Sequence, residues 1–259
     1  MNLGLAGRKV VVTGASKGIG LATARAFAGE GADVTLVARG AEALDQARDG
    51  MVSDGLARPA AIVADLSTDK GREALFAECG DSDILVNNAG AIKAGRLADL
   101  DMADWREGWE LKVFGYIHLC KLFTPAMTDR GSGTIINIIG MGGRAVRPNY
   151  ICGAAGNAAL IGFTNALGAE TPKSNVRVFG INPSPTLTDR MATMLRTRAA
   201  EELGDAGRWE ELLNPDAFPF GRPKQPDEVA ALSVMLASPK VHYLSGTVID
   251  MDGGGQWAG

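Results

Sequence analysis

The feature that most constrains this chain is the run Thr13-Gly14-Ala15-Ser16-Lys17-Gly18-Ile19-Gly20, set between the apolar stretch Lys9–Thr13 and an alanine-rich helical pattern. Glycine lets a backbone turn tightly and approach a bulky group closely. The helix after the loop offers unpaired N–H groups and the positive end of its dipole, so a diphosphate is the expected occupant. Glycines at this spacing, between a first strand and a first helix, are the pattern of a dinucleotide-binding turn.

The rest of the chain keeps the same alternation. Strands are expected at Lys9–Thr13, Asp33–Ala38, Ala60–Ala64, Ile84–Asn87, Thr134–Ile139, Val176–Ile181 and Thr247–Asp250, each apolar on consecutive positions as in a parallel sheet covered on both faces. Helical patterns lie between them, among them Leu21–Gly29, Ala41–Met51, Ala103–Met127 and Gly153–Thr171. The fold class is therefore α/β: one Rossmann-type doubly wound parallel sheet with helices on both faces, in a single domain spanning residues 1–259. The least regular stretch, 189–223, holds Gly204, Gly207, Pro215 and Pro219 and stands where such sheets carry a lid over the ligand crevice.

Composition excludes several classes. With 46% hydrophobic and 22% charged residues the chain is globular, and a net charge of −4 with scattered basic residues argues against nucleic acid or an anionic membrane as partner. Cys79, Cys120 and Cys152 are isolated, which suits a reducing cytoplasm, and His118 and His242 lack the spacing of a metal site. No secretory segment is evident at the start, and no apolar run is expected to reach the ~18 residues of a membrane span.

Several elements in the right order make the sequence similar to the short-chain dehydrogenase/reductase family: the glycine loop, Asp65-Leu66, Asn87-Asn88-Ala89-Gly90, Asn182-Pro183-Ser184-Pro185 with Thr188-Asp189, Gly221-Arg222-Pro223, and the stretch from Leu244 to Gly254. The resemblance covers almost the whole chain. It implies a nicotinamide dinucleotide held by Gly14, Ser16, Lys17, Gly18, Ile19 and Gly20 at its phosphates, by Asp65 and Leu66 at the adenine, by Asn88, Ala89 and Gly90 along the middle, and by Pro183 and Thr188 at the nicotinamide end. At the end of the second strand an acidic residue would take the ribose 2′-hydroxyl, but Ala38 is followed by Arg39, and Arg39 with Lys17 suits a 2′-phosphate. NADP(H) is expected rather than NAD(H). Homo-oligomers, tetramers or dimers, built on the family's long fourth and fifth helices are also implied.

The usual catalytic set is Ser, Tyr and Lys, with Tyr and Lys four residues apart on one helix face. Here the serine position falls on Gly140 or Met141. Aligning on Ala158–Thr164 places the tyrosine position at Gly153 and the lysine position at Asn157, with Tyr150 about one turn upstream. The family's Asn on the preceding helix is replaced by Lys112. The expectation is an exchange: Lys112 enters the centre from the neighbouring helix, Asn157 bonds the ribose, and Tyr150 is the acid/base, its phenolate favoured by a nearby ammonium. A Lys112 that only snorkels to solvent is the plainer alternative. Arg144 and Arg147 lie near the substrate entrance and fit either an acidic substrate group or a solvated surface. Met191, Met194 and Leu195 fit packing better than a pocket wall, and Trp105 and Trp109 fit a helix anchor.

The leading functional reading is an NADP(H)-dependent oxidoreductase acting on a small-molecule carbonyl or secondary alcohol. A nucleotide-binding sensor or subunit without turnover comes second, motivated by the absent Ser and Lys. A lyase or dehalogenase reusing the fold comes third, because such relatives generally lose the glycine loop that this chain keeps.

Overall fold

The computed structural model describes residues 1–257. Seven strands, β1 (Lys9–Thr13), β2 (Asp33–Ala38), β3 (Ala60–Val63), β4 (Ile84–Asn87), β5 (Gly133–Ile138), β6 (Val176–Pro183) and β7 (Thr247–Met251), form one sheet in the order 3-2-1-4-5-6-7. Every neighbouring pair is parallel. The order reverses between β1 and β4, and a crevice opens there beyond the carboxyl ends of the strands.

Side-chain alternation along each strand divides the core in two. Val10, Val12, Val34, Leu36, Ile136 and Ile138 face a cluster that includes Phe27 of α1 (Gly18–Gly29), Leu44 of α2 (Ala41–Ser53) and Val229 of a C-terminal helix spanning Pro226–Ala237. Val11, Val37, Leu85 and Ile135 face the opposite cluster, with Leu75 of α3 (Asp69–Cys79) and Phe123 and Met127 of a long helix spanning Gly115–Arg130. Two strands depart from the expectation of full cover. β3 and β7 stand at the sheet's edges and are only partly buried.

The helix expected over Ala103–Met127 is interrupted. α4 (Met102–Trp109) runs into a π-helical turn, Glu110–Phe114, before α5 (Gly115–Arg130). Such bulges insert a residue into the helical ladder and re-aim the side chains around it, and Lys112 sits at the centre of this one. Arg72, 1% exposed, braces the turn: its guanidinium donates to the Leu66 and Glu110 carbonyls and to the carboxylates of Asp69 and Glu110. Its Nε also donates to Nδ1 of His118, a structural role for that histidine.

α6 (Ile151–Glu170) with the short turn after it, Ile151–Ser174, has the length and apolar composition of a membrane span. This corrects the expectation that no run would reach one: polar residues such as Asn157 and Asn165 interrupt the sequence without lowering its average enough. Half of that window is buried within the domain, where Leu160 and Ile161 pack with Val113, Tyr116 and Ile139. The stretch 189–223 is also more regular than expected, opening with the fifteen-residue α7 (Asp189–Leu203), capped by the Thr188 hydroxyl, before two short 3₁₀ turns. α8 (Pro226–Ala237) then returns the chain to the core.

Candidate active site

One cleft of about 1330 Å³ runs across the carboxyl edge of the sheet. At one end β1 passes into the glycine loop. Gly14 and Gly18 adopt φ of +64° and +58°, angles that side-chain-bearing residues rarely take, and a Cβ on Gly14 would stand 2.9 Å from the Ala89 Cα. Lys17 occupies the N-cap of α1 and no side chain caps the helix, so its first N–H groups stay open towards the cleft. Gly20 is different. It does not line the cleft; a Cβ there would fall 2.3 Å from the Gly14 carbonyl oxygen and 2.5 Å from Nδ2 of Asn88. Its task is to let α1 lie against the strands beneath the loop.

The loop is clamped from β4. The Thr13 hydroxyl accepts from the backbone N–H groups of Asn88 (2.9 Å) and Ala89 (3.0 Å), while Nδ2 of Asn88 donates to the carbonyls of Thr13 and Gly14. Gly14, Ser16, Lys17, Gly18, Ile19, Arg39, Leu66, Asn88, Ala89 and Gly90 all line the cleft. Lys17 and Arg39 make no ion pair among the described residues. Asp65 is not in the lining. Its carboxylate accepts from the Ser67 N–H and hydroxyl, which hold its pKa below the usual carboxylate range, with Arg39 adding a smaller pull.

At the other end Lys112, Tyr150, Asn157, Pro183 and Thr188 line the same cleft, so all three side chains expected to be catalytic face it. The π-turn points Lys112 inward with its stem against Gly90, where a Cβ would meet the lysine Cδ at 2.9 Å. The ammonium donates to the Ile139 carbonyl at 2.5 Å, and burial, helped by the positive charge of Arg190, lowers its pKa to about 8. No hydrogen bond joins it to Tyr150. Burial pushes the Tyr150 phenol above its ordinary pKa, and the charge that opposes this comes from Arg190. Asn157 is 2% exposed, and its Oδ1 is buried with no hydrogen-bond partner among the described residues.

The serine position is closed to a side chain if it falls on Gly140, whose φ of +126° belongs to glycine and whose Cβ would stand 3.2 Å from Nδ2 of Asn157. Arg147 lines the cleft, but Arg144 pairs with Asp250 at 3.4 Å. Leu195 is buried and Met194 exposed, and it is Asp189, Arg190 and Thr193 of α7 that face the cleft. Trp105 and Trp109 lie with ring centroids 6.1 Å apart and planes tilted by 49°, and Trp109 donates to the Cys152 carbonyl, tying α4 to α6. Sequence reasoning missed Arg190, which comes two residues after Thr188 but carries no motif of its own. It also missed Lys224, which donates to the Ser184 hydroxyl (2.9 Å) and to the Met251 carbonyl and so fixes the loop after β6.

The short-chain dehydrogenase model matches residues 8–199. The chain belongs to that family. Among its relatives, galactitol 2-dehydrogenase (L-tagatose-forming) of Cereibacter sphaeroides is 36% identical, with 96% of this chain and 95% of the relative covered. The 7alpha-hydroxysteroid dehydrogenase of Escherichia coli K12 is 30% identical, covering 98% and 96%. The crystal structure of L-sorbose reductase from Gluconobacter frateurii, complexed with NADPH and L-sorbose, superposes with a TM-score of 0.91 at 31% identity, covering 98% of each chain.

Proposed function

We propose that this short-chain dehydrogenase is an NADP(H)-dependent oxidoreductase that interconverts a carbonyl and a secondary alcohol of a small molecule by hydride transfer. The observation that carries this reading is the cleft that joins an uncapped helix N-terminus, with Lys17 and Arg39 beside it, to Tyr150, Lys112 and Asn157 at the other end. Open N–H groups of α1 suit a diphosphate, and Arg39 with Lys17 suits the extra phosphate that distinguishes NADP(H) from NAD(H). The NADPH in the related L-sorbose reductase complex supports that choice. A nicotinamide dinucleotide bound there would supply or accept the hydride.

The protein's own groups handle the proton. Tyr150 stands as acid/base at the substrate oxygen, and its raised pKa keeps it protonated for carbonyl reduction. Asn157, which lines the cleft, bonds a ribose hydroxyl through its carboxamide, and Lys112 contributes positive charge beside the nascent alkoxide. The reading places this chemistry on a small-molecule substrate, in a homo-oligomer working in a reducing cytoplasm. Galactitol and L-sorbose in the relatives' names make polyols and ketoses the first substrates to try.

One observation favours the second reading, a nucleotide-binding protein without turnover: the Lys112 ammonium is tied to Ile139 and not to Tyr150. Fluorescence titration with NADPH and NADH, followed by oxidation assays over a panel of ketoses and simple ketones, separates the two. NADPH is expected to bind about tenfold or more tighter, the worth of one charge-assisted phosphate contact, and to be consumed. Tighter NADH binding rejects the cofactor choice, and binding without consumption selects the sensor.

A further inference from the structure

Gly142 and Gly153 flank the Tyr150 ring. A Cβ on Gly153 would fall 2.1 Å from the ring's Cζ and 2.3 and 2.6 Å from its two Cε atoms, and a Cβ on Gly142 would fall 3.1 Å from Cδ1 and Cε1. Neither glycine is needed for backbone reasons, since neither is among the residues with positive φ. Gly153 moreover lies inside α6, where glycine in place of alanine costs roughly 0.5–1 kcal/mol. Space explains what conformation does not: the hydroxyl end of the Tyr150 ring occupies the volume that any side chain at 153 would fill.

We propose that Gly153 and Gly142 are positioning residues that form a slot for Tyr150, so that a tyrosine rooted before α6 serves the cleft in place of one rooted at 153. The inference rests on the reading of Tyr150 as the proton-transfer group. It carries a geometric consequence. A tyrosine at 153 would hold its hydroxyl a full ring length beyond its own Cβ, whereas the Tyr150 hydroxyl is one bond from an atom only 2.1 Å from that point. The phenol is therefore drawn back towards α6, and the substrate oxygen must approach the helix more closely to meet it.

The three tyrosines make the slot measurable without turnover. Tyr116 is fully buried and Tyr150 partly so, and burial raises both phenols, so in an ultraviolet phenolate titration Tyr150 is expected to titrate above an ordinary tyrosine and before Tyr116. In Gly153→Ala the ring is displaced and the Tyr150 step moves down towards that of an ordinary tyrosine. With the best ketone of the panel, kcat falls about 100-fold, as for loss of a placed acid/base, while the NADPH dissociation constant holds. If Gly153→Ala melts early or fails to fold, Gly153→Ala/Tyr150→Ala recovers the lost Tm, because the ring the methyl collides with is gone. An unchanged titration in Gly153→Ala, or a Tm loss that removing Tyr150 does not relieve, overturns the slot. A wild type that binds NADPH but turns over no ketone removes the catalytic reading of Tyr150, while the titration and the Tm coupling still decide the slot.

Discussion

Lys112 is a lysine held where a charge is uncomfortable. Its pKa, lowered to about 8 by burial and by Arg190, lies below the 10.5 of an ordinary lysine. Between those values the unfolded chain binds a proton that the native protein does not, so stability rises with pH across that window and the full penalty is present below it. Lys112→Met is expected to remove this slope. It should also stabilise the protein by roughly 1–2 kcal/mol near neutrality, the relieved charge exceeding the lost bond to Ile139. Urea unfolding near neutrality and at about pH 10 checks this, and a wild-type curve flat between them contradicts it. The same variant should lose turnover and keep NADPH binding; unchanged turnover takes Lys112 out of the mechanism. A residue that costs stability and sits in a cleft is the usual sign of a function retained at that cost.

Among the elements, α1 and the π-turn place the two ends of the site. α1 can start against β1 and β4 only because position 20 has no side chain: a methyl there would press on the Gly14 carbonyl and the Asn88 side-chain amide, which are already hydrogen-bonded to each other. Gly20→Ala should therefore cost about 1–3 kcal/mol of stability and weaken NADPH binding at least tenfold, although no atom of Gly20 lines the cleft. Isothermal titration of the folded variant tests it, and wild-type affinity would show that the loop tolerates the shift. The π-turn does the corresponding work for Lys112. Apolar periodicity shows one helix over Ala103–Met127, because one inserted residue leaves the amphipathic pattern on either side intact; only the hydrogen-bond ladder reveals the bulge. The edge strands differ from expectation for a related reason. A run of apolar residues looks alike in the middle of a sheet and at its rim.

Across the whole molecule, the sheet order makes one crevice of residues far apart in sequence. Gly14, Arg39, Asn88, Lys112, Tyr150 and Thr188 come from six segments and share it. A ligand seated there bridges these segments and binds only the native arrangement. NADPH at a hundredfold over its dissociation constant should stabilise the fold by about 2.7 kcal/mol, raising Tm by roughly 5–10 °C for a chain of this size. NADH at the same concentration should raise it less, and equal shifts would leave Arg39 and Lys17 without a role in choosing the cofactor.

From the sequence alone, the strand–helix alternation, the glycine loop and the family could be read, because periodicity and turn chemistry are local and the loop's conformation admits few residues besides glycine. That Lys112 and Asn157 differ from the residues the family's pattern carries was also legible, as a departure from that pattern. Tertiary structure decided what those residues meet: that the lysine's proton is held by the Ile139 carbonyl, that Arg190 stands near it and Tyr150, that Asp65 turns to Ser67, and that two glycines make room for a displaced ring. These depend on distances between segments brought together by the sheet, and no spacing along a chain encodes a distance across it.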